Sequence, residues 1–327
     1  MAITPQALQY CDPNNDGFGV FDLSSTINEI AGGILPPGVS VTFHETPDDA
    51  FIGANALTSP YANINPWSQI IYVRAFYTLT GCDNYVQLKL SVNPTPEATT
   101  PQPYELCDND QSSIGFENFD LTSRIPEILG SINSTLNTVT FYTTLADAQN
   151  ETGAINAPGN YTNAIINTQT IYVRVETNAS GCYDIVELQL IVNPLPNSTQ
   201  PNYPQYSLCD NDQTNIGFET FDLGSKINVI LLGQTGMDVT FYISLGDAQN
   251  GTGQITSLLY QNQIQYVQTL GIRITNSTTG CYVISTMDIR VEPLPTPIPP
   301  SQPYTICDGN QDGFSCDFNL SSLVIIT

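Results

Sequence analysis

The chain has 327 residues, with 31 acidic side chains against seven basic ones and a formal net charge of −24. So few Lys and Arg exclude a surface that displaces counterions from nucleic-acid phosphate or anionic lipid; the charge suits cation binding or solubility in salty surroundings instead. At roughly 100 residues per immunoglobulin-type sandwich, the length is too great for one such domain and about right for three.

The sequence repeats itself. Tyr10-Cys11-Asp12, Leu106-Cys107-Asp108, Leu208-Cys209-Asp210 and Ile306-Cys307-Asp308 start four similar segments. Each continues to a Phe-Asp/Asn-Leu step at Phe21, Phe119, Phe221 and Phe318. Val-Thr-Phe follows at 41–43, 139–141 and 239–241, and Gly-Cys at 81–82, 181–182 and 280–281. A Pro-x-Pro closes each full copy at Pro94/Pro96, Pro194/Pro196 and Pro293/Pro295. A fixed period of this size marks a repeat architecture.

One helical expectation is a short turn over 123–130, with Ser123 as cap, Pro126 early and Gly130 as stop. Thr46/Asp49, Thr144/Asp147 and Ser244/Asp247 each fit a capping box with Asp in the acidic place. The β-branched and aromatic run Ile171-Tyr172-Val173-Arg174-Val175 predicts a strand, joined by the polar turn 178–181 to the next. In that last strand Val86, Leu88, Leu90 and Val92 alternate with polar residues, as do Val186, Leu188, Leu190 and Val192 and then Met287, Ile289 and Val291. Period two with one apolar face is a half-buried strand, and the following Pro ends its pairing. The expected fold is all-β: tandem immunoglobulin-like β-sandwich repeats with short helical turns, in an elongated array with semi-rigid Pro-rich linkers. The boundaries are 1–93, 94–195 and 196–294, with an incomplete fourth repeat over 295–327.

No stretch reaches the roughly 18–20 apolar residues of a membrane span. Met1-Ala2-Ile3-Thr4 lacks a basic region followed by an apolar run, so the expectation is a removed leader or a segment of a longer protein. The eight cysteines form no CxxC pair, and a single histidine argues against zinc. An even count in such a chain reads as disulfides formed in an oxidising compartment. One early and one late cysteine per repeat suggest the pairs Cys11–Cys82, Cys107–Cys182 and Cys209–Cys281, separated by 71, 75 and 72 residues. Cys82 is in phase with Val86 and Leu88 and is expected to face the core.

The runs Leu106-Cys107-Asp108-Asn109-Asp110, Phe119-Asp120-Leu121-Thr122, Val139-Thr140-Phe141-Tyr142, Thr170 to Val175, Gly181-Cys182-Tyr183 and Ile191-Val192-Asn193-Pro194-Leu195-Pro196 resemble the tandem repeats of giant cell-surface proteins of Bacteroidetes. Those proteins leave the cell by type IX secretion, and many are adhesins or gliding-associated surface proteins. The resemblance implies an extracellular stalk or adhesin segment that gives reach, stiffness and protease resistance, with no catalytic role. The alternatives are a subunit region of a self-assembled filament and an array of carbohydrate-binding repeats. Partners would be other copies, neighbouring repeats or surface glycans, with no nucleic acid and no membrane insertion.

Asp12, Asn14 and Asp16, and again Asp308, Asn310 and Asp312, fit D-x-N-x-D-G, the first half of an EF-hand-type loop. Calcium is the expected cofactor there, with Asp22 as a candidate later ligand; the competing reading is an Asx-turn loop without metal. The middle repeats carry Asp108/Asp110 and Asp210/Asp212 in longer loops. Arg74, Arg174 and Arg273 recur at one strand position and are expected to form ion pairs within their repeats. His44 stands where Tyr142 and Tyr242 stand, and Trp67 where Asn167 stands; both read as structural substitutions. The tail at 304–327 opens a repeat without its closing hairpin. Its apolar Leu320, Leu323, Val324, Ile325 and Ile326 are expected to pack against another chain or against the rest of a longer protein, and Cys307 and Cys316 either bond to each other or Cys316 reaches outside the chain.

Overall fold

The computed structural model describes residues 2–109, 114–198, 202–211, 215–296, 304–309 and 311–314. The residues form two compact units, 1–194 and 195–327. The tail beyond Phe314, with Cys316 and the apolar run, lies outside the described residues, as does Asn310.

The first repeat lays down β1 (Leu8–Asp12), β2 (Val20–Phe21), a tight helical turn (Leu23–Thr26), α1 (Ile27–Ile30), β3 (Val39–His44), α2 (Pro47–Ile52), β4 (Tyr61–Ala62), β5 (Ser68–Tyr77) and β6 (Asp83–Pro94). The main sheet has the order β1-β6-β5-β3, and β2 pairs with β4 in a separate ribbon. Strands β5 and β6 form the expected antiparallel hairpin, whereas β1 runs parallel to β6. The second repeat has β7 (Tyr104–Cys107), β8 (Asn118–Phe119), α3 (Ile125–Leu129), β9 (Asn137–Tyr142), α4 (Leu145–Asn150), β10 (Tyr161–Thr162), β11 (Thr168–Thr177) and β12 (Tyr183–Asn193). Its sheet order is β7-β12-β11-β9. The third has β13 (Asn202–Cys209), β14 (Thr220–Asp222), α5 (Ile227–Leu231), β15 (Met237–Tyr242), α6 (Leu245–Asn250), β16 (Gln254–Ile255), β17 (Leu259–Gln261), β18 (Val267–Asn276) and β19 (Tyr282–Glu292). Among the described residues, each sheet is built from the strands of one repeat. Each repeat is an all-β, immunoglobulin-type domain with short helical turns. Among the described residues, no helix is long and apolar enough to cross a membrane.

The alternation read from the sequence is the reason the sheet has an inner face. Leu88, Leu90 and Val92 are buried against Phe21, Leu23, Ile30 and Phe43. Phe119, Leu121, Ile128 and Phe141 take the same places beneath Leu188, Leu190 and Val192. The three capping boxes form as expected. The hydroxyls of Thr46, Thr144 and Ser244 accept the N–H of Asp49, Asp147 and Asp247, each at 3.1 Å. The turn expected from Ser123 starts earlier: Asp120 accepts the N–H of Thr122 at 3.1 Å, and the helix then runs to Leu129 before Gly130. Asp22 has the same capping role, accepting the Ser24 N–H at 3.0 Å. Its carboxylate therefore serves the helical turn and does not join the Asp12 loop.

The recurrent arginines tie the end of a short helix to the sheet. Arg174 donates to the Ala148 carbonyl at 3.0 Å, pairs with Glu176 at 2.5 Å and lies 3.4 Å from the Tyr183 ring centroid. Arg74 pairs with Asp83 at 3.0 Å. Arg273 departs from the expected ion pair: it donates to the Ala248 carbonyl and stacks over Tyr282 at 4.1 Å. His44 is fully buried, with its ring nitrogens 2.6 Å from the Ala54 carbonyl and 2.9 Å from the Thr42 hydroxyl, so it is a strand residue with satisfied polar atoms.

Candidate inter-repeat junction

Cys11 and Cys182 form a disulfide between the first and second repeats, with Cα atoms 5.4 Å apart and a sequence separation of 171. This corrects the expected pairs Cys11–Cys82 and Cys107–Cys182. The reason is the direction of the parallel pair. Cys11 lies beside Asn93, at the far end of β6 from Cys82. Ten or so residues of strand at about 3.3 Å each separate those ends by roughly 30 Å, far beyond the 4.4–6.8 Å between Cα atoms that a disulfide spans. Cys107 beside Asn193 and Cys209 beside Glu292 repeat this arrangement, which removes Cys209–Cys281 as well. Cys82 and Cys209 are exposed free thiols, so Cys82 does not face the core. Cys107 and Cys281 are disulfide-bonded.

A linker clamp surrounds the bond. The Asn15 amide donates to the Thr95 carbonyl at 3.1 Å and to Glu97 at 3.0 Å, and its oxygen accepts the Thr95 N–H at 2.9 Å. Asn15 adopts φ 53°, a left-handed conformation that Asn tolerates well. The linker then enters the second repeat, where the Ala98 N–H donates to Asp184 at 3.0 Å and the Thr99 N–H to the Ile128 carbonyl at 2.9 Å. Cys182 is fully buried at this junction.

The loop expected to hold calcium is organised by its own hydrogen bonds. Asp12 is fully buried, and its two oxygens accept the N–H groups of Asn14 at 3.3 Å and Gly17 at 2.7 Å. Asp16 accepts the Phe18 N–H at 2.9 Å and the Asn14 side-chain amide at 2.8 Å. Asp308 likewise accepts the N–H groups of Gln311 at 2.9 Å and Gly313 at 2.7 Å, and Asp312 that of Phe314 at 2.8 Å. Asp108 and Asp210 keep the glycine bond, to Gly115 at 2.9 Å and Gly217 at 3.0 Å. Among the described residues, no three His, Cys, Asp or Glu side chains converge as metal ligands do.

The residues that brace this end were missed in the sequence reading. Asn63 accepts the Gly19 N–H at 2.6 Å and donates to the carbonyls of Gly17 at 3.0 Å and Asn65 at 2.7 Å. Asn163 and Asn262 make the matching bonds to Gly115 and Gly217, each at 2.8 Å. Gln69, Gln169 and Gln268 donate to the hydroxyls of Tyr61, Tyr161 and Tyr260. Asn and Gln recur six residues apart at 63/69, 163/169 and 262/268, a spacing that marks them. Trp67, Asn167 and Tyr266 close the same turn at positive φ, each N–H donating to the carbonyl of Gly17, Gly115 or Gly217 at 2.9 Å. Trp67 is therefore a loop anchor.

Three solved structures show limited similarity to the chain. Drosophila OTK extracellular domains 3–5 are 7% identical, covering 89% of this chain and 96% of that one, with a TM-score of 0.24. The sialic acid binding region of the Streptococcus sanguinis SK1 adhesin is 13% identical, covering 90% and 77%, with a TM-score of 0.23. Drosophila N-cadherin EC1-3 is 14% identical, covering 90% and 100%, with a TM-score of 0.19. Scores this low carry no functional argument. No curated protein matches the chain. The family model described as the Flavobacterium inter-domain disulphide bond domain matches residues 7–96, 103–196 and 205–295. The bond from Cys11 to Cys182 is a disulfide of that kind, and the chain belongs to this family, as three tandem copies of its domain.

Proposed function

We propose that this chain is a structural segment of an extracellular, non-enzymatic array on a Bacteroidetes surface, a stalk or adhesin region whose junctions are covalently locked. The observation that carries this reading is the Cys11–Cys182 bond. When the chain is pulled from its ends, force entering at Cys11 crosses directly to Cys182. The bond closes residues 12–181 into a loop that cannot then extend to its full length. The Pro-rich linker and its Asn15 clamp hold the junction in register while the bond carries tension. Export to an oxidising compartment, by type IX secretion on the resemblance noted above, is the setting in which such bonds persist.

Single-molecule stretching of the whole chain tests this. Under oxidising conditions the 170 residues between the two cysteines are expected not to reach their full length. After reduction they should extend to roughly 600 Å, at about 3.5 Å per residue. Equal extension in both conditions would refute the proposal. A glycan-binding role has no comparable support, since Trp67 serves as a loop anchor.

A further inference from the structure

Helix α2 ends differently from its counterparts α4 and α6. Ala50, Ala148 and Ala248 are buried at matching places. The next two residues are Phe51 and Ile52 in the first repeat, Gln149 and Asn150 in the second, and Gln249 and Asn250 in the third. All six are exposed, so the helix does not need apolar residues there in order to form. Phe51 is 71% exposed and Ile52 69%. In the second repeat the first repeat is already attached through Cys11–Cys182, yet Gln149 and Asn150 stay exposed. A preceding repeat in the array therefore does not cover this position.

Tyr85 extends the patch. It faces Arg74 across β5 and β6, where Ile185 faces Arg174 and Ile284 faces Arg273. Its ring centroid lies 6.2 Å from that of Phe51, and its hydroxyl donates to Asp83 at 2.7 Å. The Arg74 Nε donates to the same Asp83 oxygen at 3.0 Å. The ring is thus held in place before any partner arrives. An exposed aromatic fixed in this way, beside a second ring and an aliphatic neighbour, loses little freedom on binding and makes a contact anchor.

The surroundings decide what docks. Asp48 is exposed one helical turn before Phe51 and Ile52, on the same face of α2. Asp83 bounds the patch on the other side, and Arg74 is paired with it. Residues 1–93 hold eight acidic side chains and two basic ones. A second copy of the chain, itself at −24, would meet this patch with like charge. A sugar ring would need free polar atoms beside the aromatics, but the Asp83 oxygen that reaches Tyr85 already accepts from Tyr85 and Arg74.

We propose that Phe51, Ile52 and Tyr85 form the docking surface for a different protein, one that presents apolar side chains flanked by Lys or Arg. The apolar residues anchor the contact, and Asp48 selects the sign of the partner's charge. This goes beyond the array reading and does not depend on it: it gives the first repeat a recognition surface that its two neighbours lack.

The test uses the full chain and a synthetic amphipathic helix of Leu and Lys with Leu along one face. Phe51→Gln with Ile52→Asn installs the residues of the second repeat and leaves every charge in place. Calorimetry is expected to show the unaltered chain binding the peptide, with affinity about tenfold lower in that double variant. Asp48→Asn should lower affinity about threefold and flatten its dependence on salt. Circular dichroism and an intact Cys11–Cys182 link report that each variant is folded. Equal affinity in the double variant, or equal binding of a peptide with Glu in place of Lys, would overturn the proposal. So would binding to phosphatidylcholine vesicles that the double variant abolishes, which would make the patch a lipid contact. Self-association in sedimentation that the double variant abolishes would also overturn it, in favour of a second copy.

Discussion

The backbone N–H of Gly17 donates to the buried carboxylate of Asp12 at 2.7 Å. The same bond joins Asp108 to Gly115, Asp210 to Gly217 and Asp308 to Gly313. It explains why an aspartate follows the early cysteine in every copy. The carboxylate folds the loop onto a glycine, whatever the loop length between them. Asp12→Ala leaves the N–H groups of Gly17 and Asn14 without acceptors. It is expected to cost the first repeat about 1–3 kcal/mol, read as a lower denaturation midpoint in urea. Asp12→Asn, which keeps one acceptor oxygen, should cost less.

The linker clamp gives a second expectation. Asn15→Gly keeps the left-handed backbone and deletes the amide that holds Thr95 and Glu97. Linker cleavage by a broad-specificity protease is expected to quicken near 95–97, with global stability lowered by only about 0.5–1.5 kcal/mol. An unchanged cleavage rate would show that the clamp does not order the linker.

Calcium separates the two readings of the same loop. With both Asp12 oxygens serving backbone N–H groups and Asp16 holding Asn14 and Phe18, calcium is expected to leave the melting temperature unchanged, in the parent and in Asp16→Asn alike. A calcium-dependent rise that Asp16→Asn abolishes would instead establish the cation reading.

Acid should weaken the helix caps. Hydrogen bonds from Thr46, then Asn55, hold the Asp49 carboxyl below the usual carboxylate range. Ser244 and then Thr252 do the same for Asp247, and Ser24 and then Ser59 for Asp22. A carboxyl whose pKa is depressed on folding adds stability that is present above its unfolded value and lost as pH falls through the folded one. Melting temperature is therefore expected to hold from neutral pH to just above the unfolded carboxylate pKa, then fall. Asp49→Asn should flatten part of that fall; an identical profile would contradict the assignment.

The fold was largely legible because its signals are local. Val86 to Val92 show period two, Thr46/Asp49 show a cap, and Pro94 shows an end. The cysteine pairing was not, for a physical reason. In a periodic array, the spacing from an early to a late cysteine is as constant between neighbours as within a repeat. Only the parallel pairing of β1 with β6 decides, and no residue spells out the direction of a strand. The Asn63–Gln69 brace was legible through its recurrence, but amides carry no charge or reactivity to draw attention. The Asp12 loop is legible only as one of two kinds, because Asx loops and calcium loops use the same residues at the same spacing.

The central claim is that repeats are joined to each other by disulfides. Its most direct test is proteolysis of the intact, thiol-alkylated chain without reductant, followed by mass spectrometry of the linked peptides. The account predicts a peptide pair joining Cys11 to Cys182, with Cys82 recovered alkylated. Recovery of Cys11 joined to Cys82 would contradict it.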